Sequence, residues 1–219
     1  MKRLLLVCVA TLSLLQGANA QEDRKFELGA GGSFGFSLKK GQPNSYGFDL
    51  FGGYKFNPHF TAGIGVNYIN YFGRVDLPSG DPNLFIQTGQ YHAFRPFLYF
   101  RYDFLPDKKW SPFIGAKLGY AFFPDTHYFE RWVISGDGLN YGGIPPEFKH
   151  ILTYPSQPLG VRNSFFGTID VGVSRRIGNH GGKLSLGVSL DLQPVQFKYN
   201  NSEQKKFAPT IGPSLKMSF

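Results

Sequence analysis

The sequence predicts an all-β protein, an eight-stranded antiparallel up-and-down barrel that spans a membrane after a cleaved signal peptide. Three observations support this prediction: an N-terminal export leader, eight segments in which apolar and small or polar residues alternate, and an aromatic residue, Phe219, on the last segment. The composition also favours strands, because 28 of the 219 residues are Gly, a poor helix former, and 17% are aromatic.

Residues 1–20 have the pattern of a secretory signal peptide. Two basic residues precede an apolar run of about a dozen residues, and Ala18 and Ala20 supply the small residues that a cleavage site requires. The apolar run is shorter than the roughly 20 residues of a membrane anchor. We therefore predict cleavage after Ala20 and one mature domain, residues 21–219.

The net charge and the cysteine content limit the chemistry of the mature chain. The one cysteine, Cys8, lies in the leader, so disulfides, thiolate metal sites and cysteine nucleophiles are not expected after cleavage. Cleavage also removes Lys2 and Arg3, and the formal net charge falls from +8 to +6. A positive balance suits anionic phosphates, and export argues against nucleic acid as their source.

Eight segments with a period of two follow the leader, separated by breaks. Each has the length of a transmembrane strand, roughly 9–11 residues, and puts apolar residues on one parity. An even number of strands lets the sheet close without a free edge and with both termini on one side. The apolar residues of the segments span about 26–38, 46–56, 60–68, 94–104, 114–122, 165–173, 184–192 and 207–219.

The connections between the segments alternate in length, with short turns predicted on the periplasmic side and longer loops outside. The first outer loop is itself short and fits this pattern less well. Proline removes a donor from the ladder of hydrogen bonds, so we expect bulges where it falls within a strand. The predicted outer loops are about 39–45, 71–92, 123–163 and 194–206, and the strand prolines are Pro96, Pro112, Pro209 and Pro213.

Alternation alone does not reveal which parity faces outward, because a lipocalin-like barrel alternates with its apolar residues inside. The polar parity here is mostly Gly, Ser and Thr with scattered ions, whereas a water-exposed surface would be crowded with charge. Small residues suit the narrow lumen of eight strands. We therefore predict that the apolar parity faces lipid, with aromatic girdles at both rims.

The whole mature chain resembles the OmpA/OmpX-type family of small outer-membrane barrels, especially the porin-like barrel proteins of Bacteroidetes. The resemblance rests on the leader ending in Ala18-Asn19-Ala20, the eight segments, and the closing Lys216-Met217-Ser218-Phe219. It implies a protein of the Gram-negative outer membrane, with outer-membrane lipids and lipopolysaccharide around it. It also implies that Phe219 is an assembly signal for the outer-membrane assembly machinery. We expect a monomer.

The polar parity brings ionisable residues into the predicted lumen, where acids and bases nearly cancel. Isolated buried charges are very costly, so these residues must pair or stay hydrated. A salt-bridged plug and a narrow polar pore are both open, and the plug is favoured because eight-stranded barrels are normally filled. The predicted ion network comprises Glu27, Asp49, Arg95, Arg101, Asp103, Lys117, Asp170, Asp191 and Lys216, and Lys55 and Arg176 share its parity.

Basic residues on the outer side are expected to seat the protein among the phosphates of lipopolysaccharide. They are Lys39, Lys40, Arg74, Arg131, Lys149, Arg162, Lys198, Lys205 and Lys206.

Three functional hypotheses remain. The first is a non-enzymatic envelope protein that contributes to outer-membrane integrity or to surface interaction through its outer loops, whose ligand the sequence does not identify. The second is a lipid A-modifying enzyme of the deacylase or acyltransferase type, for which His127, Glu130 and Ser164 are weak catalytic candidates. The third is a small pore or transport barrel. No cofactor and no metal site is predicted.

Overall fold

The structure, a computed structural model, describes residues 25–39, 42–72, 75–78, 84–88, 90–124, 126–134, 150–153, 157–177, 182–199 and 202–219. The predicted signal peptide and its cleavage site lie outside these residues. The described strands, in chain order, are β1 (Phe26–Ser37), β2 (Asn44–Lys55), β3 (Phe60–Phe72), β4 (Val75–Pro78), β5 (Leu84–Thr88), β6 (Tyr91–Asp103), β7 (Trp110–Ala121), β8 (Thr126–Ile134), β9 (His150–Thr153), β10 (Gln157–Arg162), β11 (Ser164–Ile177), β12 (Gly182–Tyr199) and β13 (Ser202–Ser218). No helix long and apolar enough to cross a bilayer occurs among the described residues.

Eight of these strands close into an antiparallel barrel in the order β1-β2-β3-β6-β7-β11-β12-β13, and β13 pairs with β1. A row of paired residues starts at Leu28 on β1, passes through all eight barrel strands and returns to β1 at Leu38. This stagger gives the strands their tilt, which in such barrels is about 35–45°. The predicted fold class, all-β with an eight-stranded antiparallel barrel, is confirmed.

The barrel departs from the sequence prediction in two respects. The register of each described ladder stays constant past Pro96, Pro112, Pro209 and Pro213, so the bulges expected there do not occur. The segment 194–206 was expected to be a loop, but β12 and β13 continue through it as a hairpin up to the pair Tyr199 and Ser202. Pairing with β10 on the other side of β12 explains the second difference, and it buries Val195 and Phe197 of the extension.

The two faces of the barrel wall have opposite chemistry. Outward-facing Leu28, Ile64, Leu98 and Leu118 are 54–68% exposed, whereas the inward-facing polar side chains are mostly buried. A water-soluble barrel would show the reverse arrangement. Burial of polar groups inside and exposure of large apolar ones outside is stable only when hydrocarbon surrounds the wall.

Aromatic side chains form a belt at each end of this apolar wall. At the end that carries the termini, Phe26 contacts Tyr54 at a ring-centroid distance of 5.1 Å, and Tyr54 contacts Phe56 at 5.0 Å. At the other end, the Tyr120 ring lies 5.1 Å from Phe122 and 5.0 Å from Phe165. Such belts mark the two lipid–water boundaries, so the apolar wall has the two borders of a bilayer.

Two of the long outer connections contribute strands to a second, smaller sheet. Its order is β4-β5-β8, and β8 pairs on its other edge with β9 and β10. The second half of β10 then pairs with the extended end of β12, from Gly160–Lys198 to Arg162–Gln196. The outer sheet is therefore hydrogen-bonded to the barrel rather than tethered by loose chain.

Candidate functional site: the lumen and its outer mouth

An ion-pair network crosses the outer half of the lumen. The Nη1 atom of Arg95 donates to both carboxylate oxygens of Asp191, at 3.0 and 2.9 Å, and the Thr168 hydroxyl donates to the same carboxylate at 2.7 Å. Arg95 Nε donates to the side-chain oxygen of Asn67 at 2.7 Å. Four strands are joined by these bonds, and Arg95 is only 4% exposed.

The same network continues to the next strands. The Asn67 amide donates to Asp49 Oδ1 at 2.7 Å, and Lys117 Nζ donates to Asp49 Oδ2 at 2.5 Å. Lys216 and Asp170 form a separate pair from β13 to β11, with 2.5 Å between Nζ and Oδ2. These charge-assisted bonds are about twice as strong as neutral ones, and they satisfy ions that would otherwise be very costly to bury.

A second cluster fills the half of the lumen nearer the termini. Asp103 accepts hydrogen bonds from Arg101 at 3.1 and 2.8 Å and from Lys183 at 2.7 Å. The Tyr99 hydroxyl donates to Glu27 at 2.5 Å, and Lys55 lies 3.8 Å from the same carboxylate. Positive and negative side chains are thus paired in both halves of the lumen, as a salt-bridged plug requires.

Aromatic rings pack among these ion pairs in the lumen. Phe51, Phe97 and Phe166 face inward and alternate with Gly29, Gly65 and Gly119 along one row of paired residues across six adjacent strands. A Cβ atom at Gly119 would lie 2.7 Å from the Phe166 ring, so glycine makes room for the ring beside it. The Arg95 guanidinium lies 4.1 Å from the centroid of the Phe166 ring, a cation–π distance.

The outer mouth of the lumen is closed by an apolar cluster. Tyr71 and Tyr91 stack with centroids 4.8 Å apart, and Phe197 meets Tyr91 edge-on at 5.7 Å. These three side chains are 0–2% exposed. The cluster also contains Ile69, Ala93, Ala121, Phe123, Val161 and Val195. Because Val161 comes from β10 and Phe197 from the extension of β12, the outer sheet helps to build the seal.

A small cavity lies between the two ionic clusters. It is lined by Tyr99, Arg101, Lys117, Asp170 and Lys216 among others, and the volume open to the centre of a water molecule is about 10 Å³. That is about the space of one water. At this level the lumen is packed rather than open.

Comparison with solved structures identifies the architecture. Neisserial surface protein A is 15% identical, with 89% of this chain and 96% of that chain covered and a TM-score of 0.50. The outer membrane protein OprG from Pseudomonas aeruginosa is 11% identical, with 89% and 95% covered and a TM-score of 0.55. The fold is that of the small outer-membrane β-barrels. No protein-family model and no curated protein sequence matches this chain.

The barrel places the nine predicted network residues together in its lumen, each at most 9% exposed. Lys55 is half-buried beside Glu27, whereas Arg176 is exposed at the rim, since its strand runs past the barrel end there. Sequence reasoning missed the neutral partners Asn67 and Thr168, although both share the inward parity. Phe219, the predicted assembly signal, has its backbone amide and carbonyl bonded to Leu28 at the barrel seam, and its role as a signal stays a prediction.

The catalytic candidates are not brought together by the described contacts. The Ser164 hydroxyl donates to the Pro194 carbonyl at 2.6 Å and accepts from the Gln193 amide at 2.7 Å. A serine held in this way supports the chain at the barrel mouth. His127 and Glu130 lie on β8, where the described features are the backbone pairs with Pro158 and Ile86, and their side chains lie outside the described residues.

Proposed function

We propose that this chain is a non-enzymatic envelope protein that acts through its outer face, with the barrel as a membrane anchor. The observation that carries this proposal is the filled lumen, which is crossed by ion pairs and sealed at its outer mouth by Tyr71, Tyr91 and Phe197. A barrel of this kind lends rigidity but offers little path for a solute. Its fold and its apolar belt are those of an integral outer-membrane protein.

The outer sheet supports a role in surface interaction. Strands β4, β5, β8, β9 and β10 are hydrogen-bonded to one another and, through β10, to the barrel. A surface that is already ordered loses less conformational entropy on binding than flexible loops do. Functional residues in proteins concentrate on loops that a rigid scaffold positions. Here the outer sheet is built from such connections, and the barrel is the rigid scaffold that positions it.

Three measurements on the folded protein distinguish the functional classes. We expect no conductance steps in planar bilayers and an unchanged mass profile of lipid A in cells that express the protein. We further expect that deletion of the gene weakens the barrier of the cell envelope against detergent. The full chain should restore this barrier. A variant in which short turns replace residues 75–88 and 126–159 should not restore it. Steady single-channel steps, altered acylation of lipid A, or full rescue by the shortened but folded barrel would each contradict the proposal.

A further inference from the structure

The structure assigns a binding site for the phosphorylated head group of an outer-leaflet lipid to one side of the barrel, on the outer ends of β1, β13, β12 and β10. We call this site the basic patch and define it by Lys39, Lys198, Lys205 and Arg162. It deepens the expectation that outer-side cations contact lipopolysaccharide, because it selects four of the nine residues and gives them one location.

The strand register brings these cations onto one face. Lys205 pairs with Gln196, and Gln196 pairs in turn with Arg162 on the next strand. Lys198 lies two residues beyond Gln196 and has the same parity, and all three cationic side chains are exposed. With strands about 4.8 Å apart, Lys205 and Arg162 are separated by roughly 10 Å, a span that a sugar phosphate can bridge.

Lys39 joins the patch from the other side of β13. Its Nζ atom lies 5.7 Å from the centroid of the Phe207 ring, which is 44% exposed on the lipid-facing side. Phe207 is two residues from Lys205 along β13. Lys39 and Lys205 therefore both lie close to the Phe207 side chain on the outer wall. The four cations carry a formal charge of +4.

The basic patch lies at the height along the barrel axis where the head group of a membrane lipid would lie. Directly below the cations, the lipid-facing wall presents Phe36, Leu38, Phe207 and Ile211, which are 37–55% exposed. Phe207 belongs to the outer aromatic belt, and Lys205 stands about 7 Å beyond it, at the depth of lipid head groups. Cations above an apolar wall fit a molecule with phosphates at one end and acyl chains at the other.

The other five barrel strands lack such a group of exposed cations at their described outer ends. The outer halves of β2, β3, β6, β7 and β11 contain two basic residues, Arg95 and Lys117, and both are buried in the lumen. A general attraction to an anionic surface would not require the cations to be gathered on one side. Four exposed cations on this short part of the wall therefore fit a site for one lipid molecule.

The test compares two triple variants that remove equal charge from opposite ends of the barrel. The variant K39Q/K198Q/K205Q removes three of the four patch cations, and the control K25Q/K108Q/K109Q replaces three exposed lysines of the opposite rim. The purified, folded proteins are titrated in detergent with lipid A carrying its phosphates and with the same lipid A after removal of the phosphates, and bound lipid is counted by native mass spectrometry. A gel-mobility shift on boiling verifies that each variant is folded.

We expect the patch variant to bind phosphorylated lipid A on the order of 100-fold more weakly, because each lysine near an anionic head group contributes roughly fivefold. The control variant should bind as the unaltered protein does, and dephosphorylated lipid A should bind all three proteins equally weakly. Equal losses in both variants, or unchanged binding in the patch variant, would overturn the site. Displacement of lipid A by inorganic phosphate at matched concentration would assign the site to free phosphate and would likewise overturn it.

Discussion

Replacing Asp191 by alanine is expected to lower the free energy of unfolding by about 3–5 kcal/mol, the cost of leaving a buried charge without its partner. Arg95 is 4% exposed and donates to both oxygens of Asp191, so the substitution leaves its Nη1 atom without a carboxylate. The Thr168 hydroxyl loses its acceptor as well. Reversible urea unfolding in lipid vesicles, followed by circular dichroism, measures the change.

Two controls separate the lost pairing from a general effect of losing an acid. Asp107 is exposed in the turn between β6 and β7, and its replacement by alanine should change stability by less than about 0.5 kcal/mol. The double variant R95M/D191L removes both charges and should recover most of the loss, since apolar residues of similar volume often replace a buried pair without cost. A double variant as unstable as D191A would show that the charge imbalance is not the cause.

Replacing Phe197 by alanine is expected to cost roughly 3–5 kcal/mol, because a large buried ring leaves a cavity that its neighbours only partly fill. Phe197 is 1% exposed and packs edge-on against Tyr91 in the seal of the outer mouth. The same urea unfolding experiment measures the loss. Phe197→Leu should cost less, because most of the apolar volume is kept.

The matched control for this prediction is an aromatic residue on the opposite face of the wall. Phe165 is 76% exposed to the surroundings, so Phe165→Ala leaves no internal cavity and should have the smaller effect. If Phe165→Ala were the more destabilising of the two, the mouth would not be sealed by the cluster around Phe197.

Much of the barrel is predictable from the sequence because a transmembrane strand imposes a strict period of two. The eight segments, the lipid-facing parity and the inward placement of ions such as Asp49 and Lys117 all follow from that period together with the cost of burying charge. Inward aromatic residues were harder to anticipate. Phe97 interrupts the polar parity, and only the pairing with Gly65 and Gly119 shows why a ring fits there.

Features that depend on contacts between distant segments could not be predicted in this way. The extension of β12 beyond Pro194 is supported by pairing with β10, which comes from a different connection. Likewise, the seal unites Tyr71, Tyr91 and Phe197 from three strands whose ends the alternation alone did not reach. Which outer cations gather into one patch also depends on register, a property set by the closed barrel as a whole.

The orientation of the wall is tested most directly by photo-crosslinking of the unaltered protein in vesicles whose lipids carry a diazirine on the acyl chain. Fragment-ion mass spectrometry then locates the modified residues within the consecutive run from Phe97 to Phe100 on β6. We predict modification of Leu98 and Phe100, which are 54% and 37% exposed, and none of Phe97 and Tyr99, which are 4% and 6% exposed. Modification of Phe97 and Tyr99 with Leu98 and Phe100 spared would contradict a barrel that turns its apolar residues to lipid.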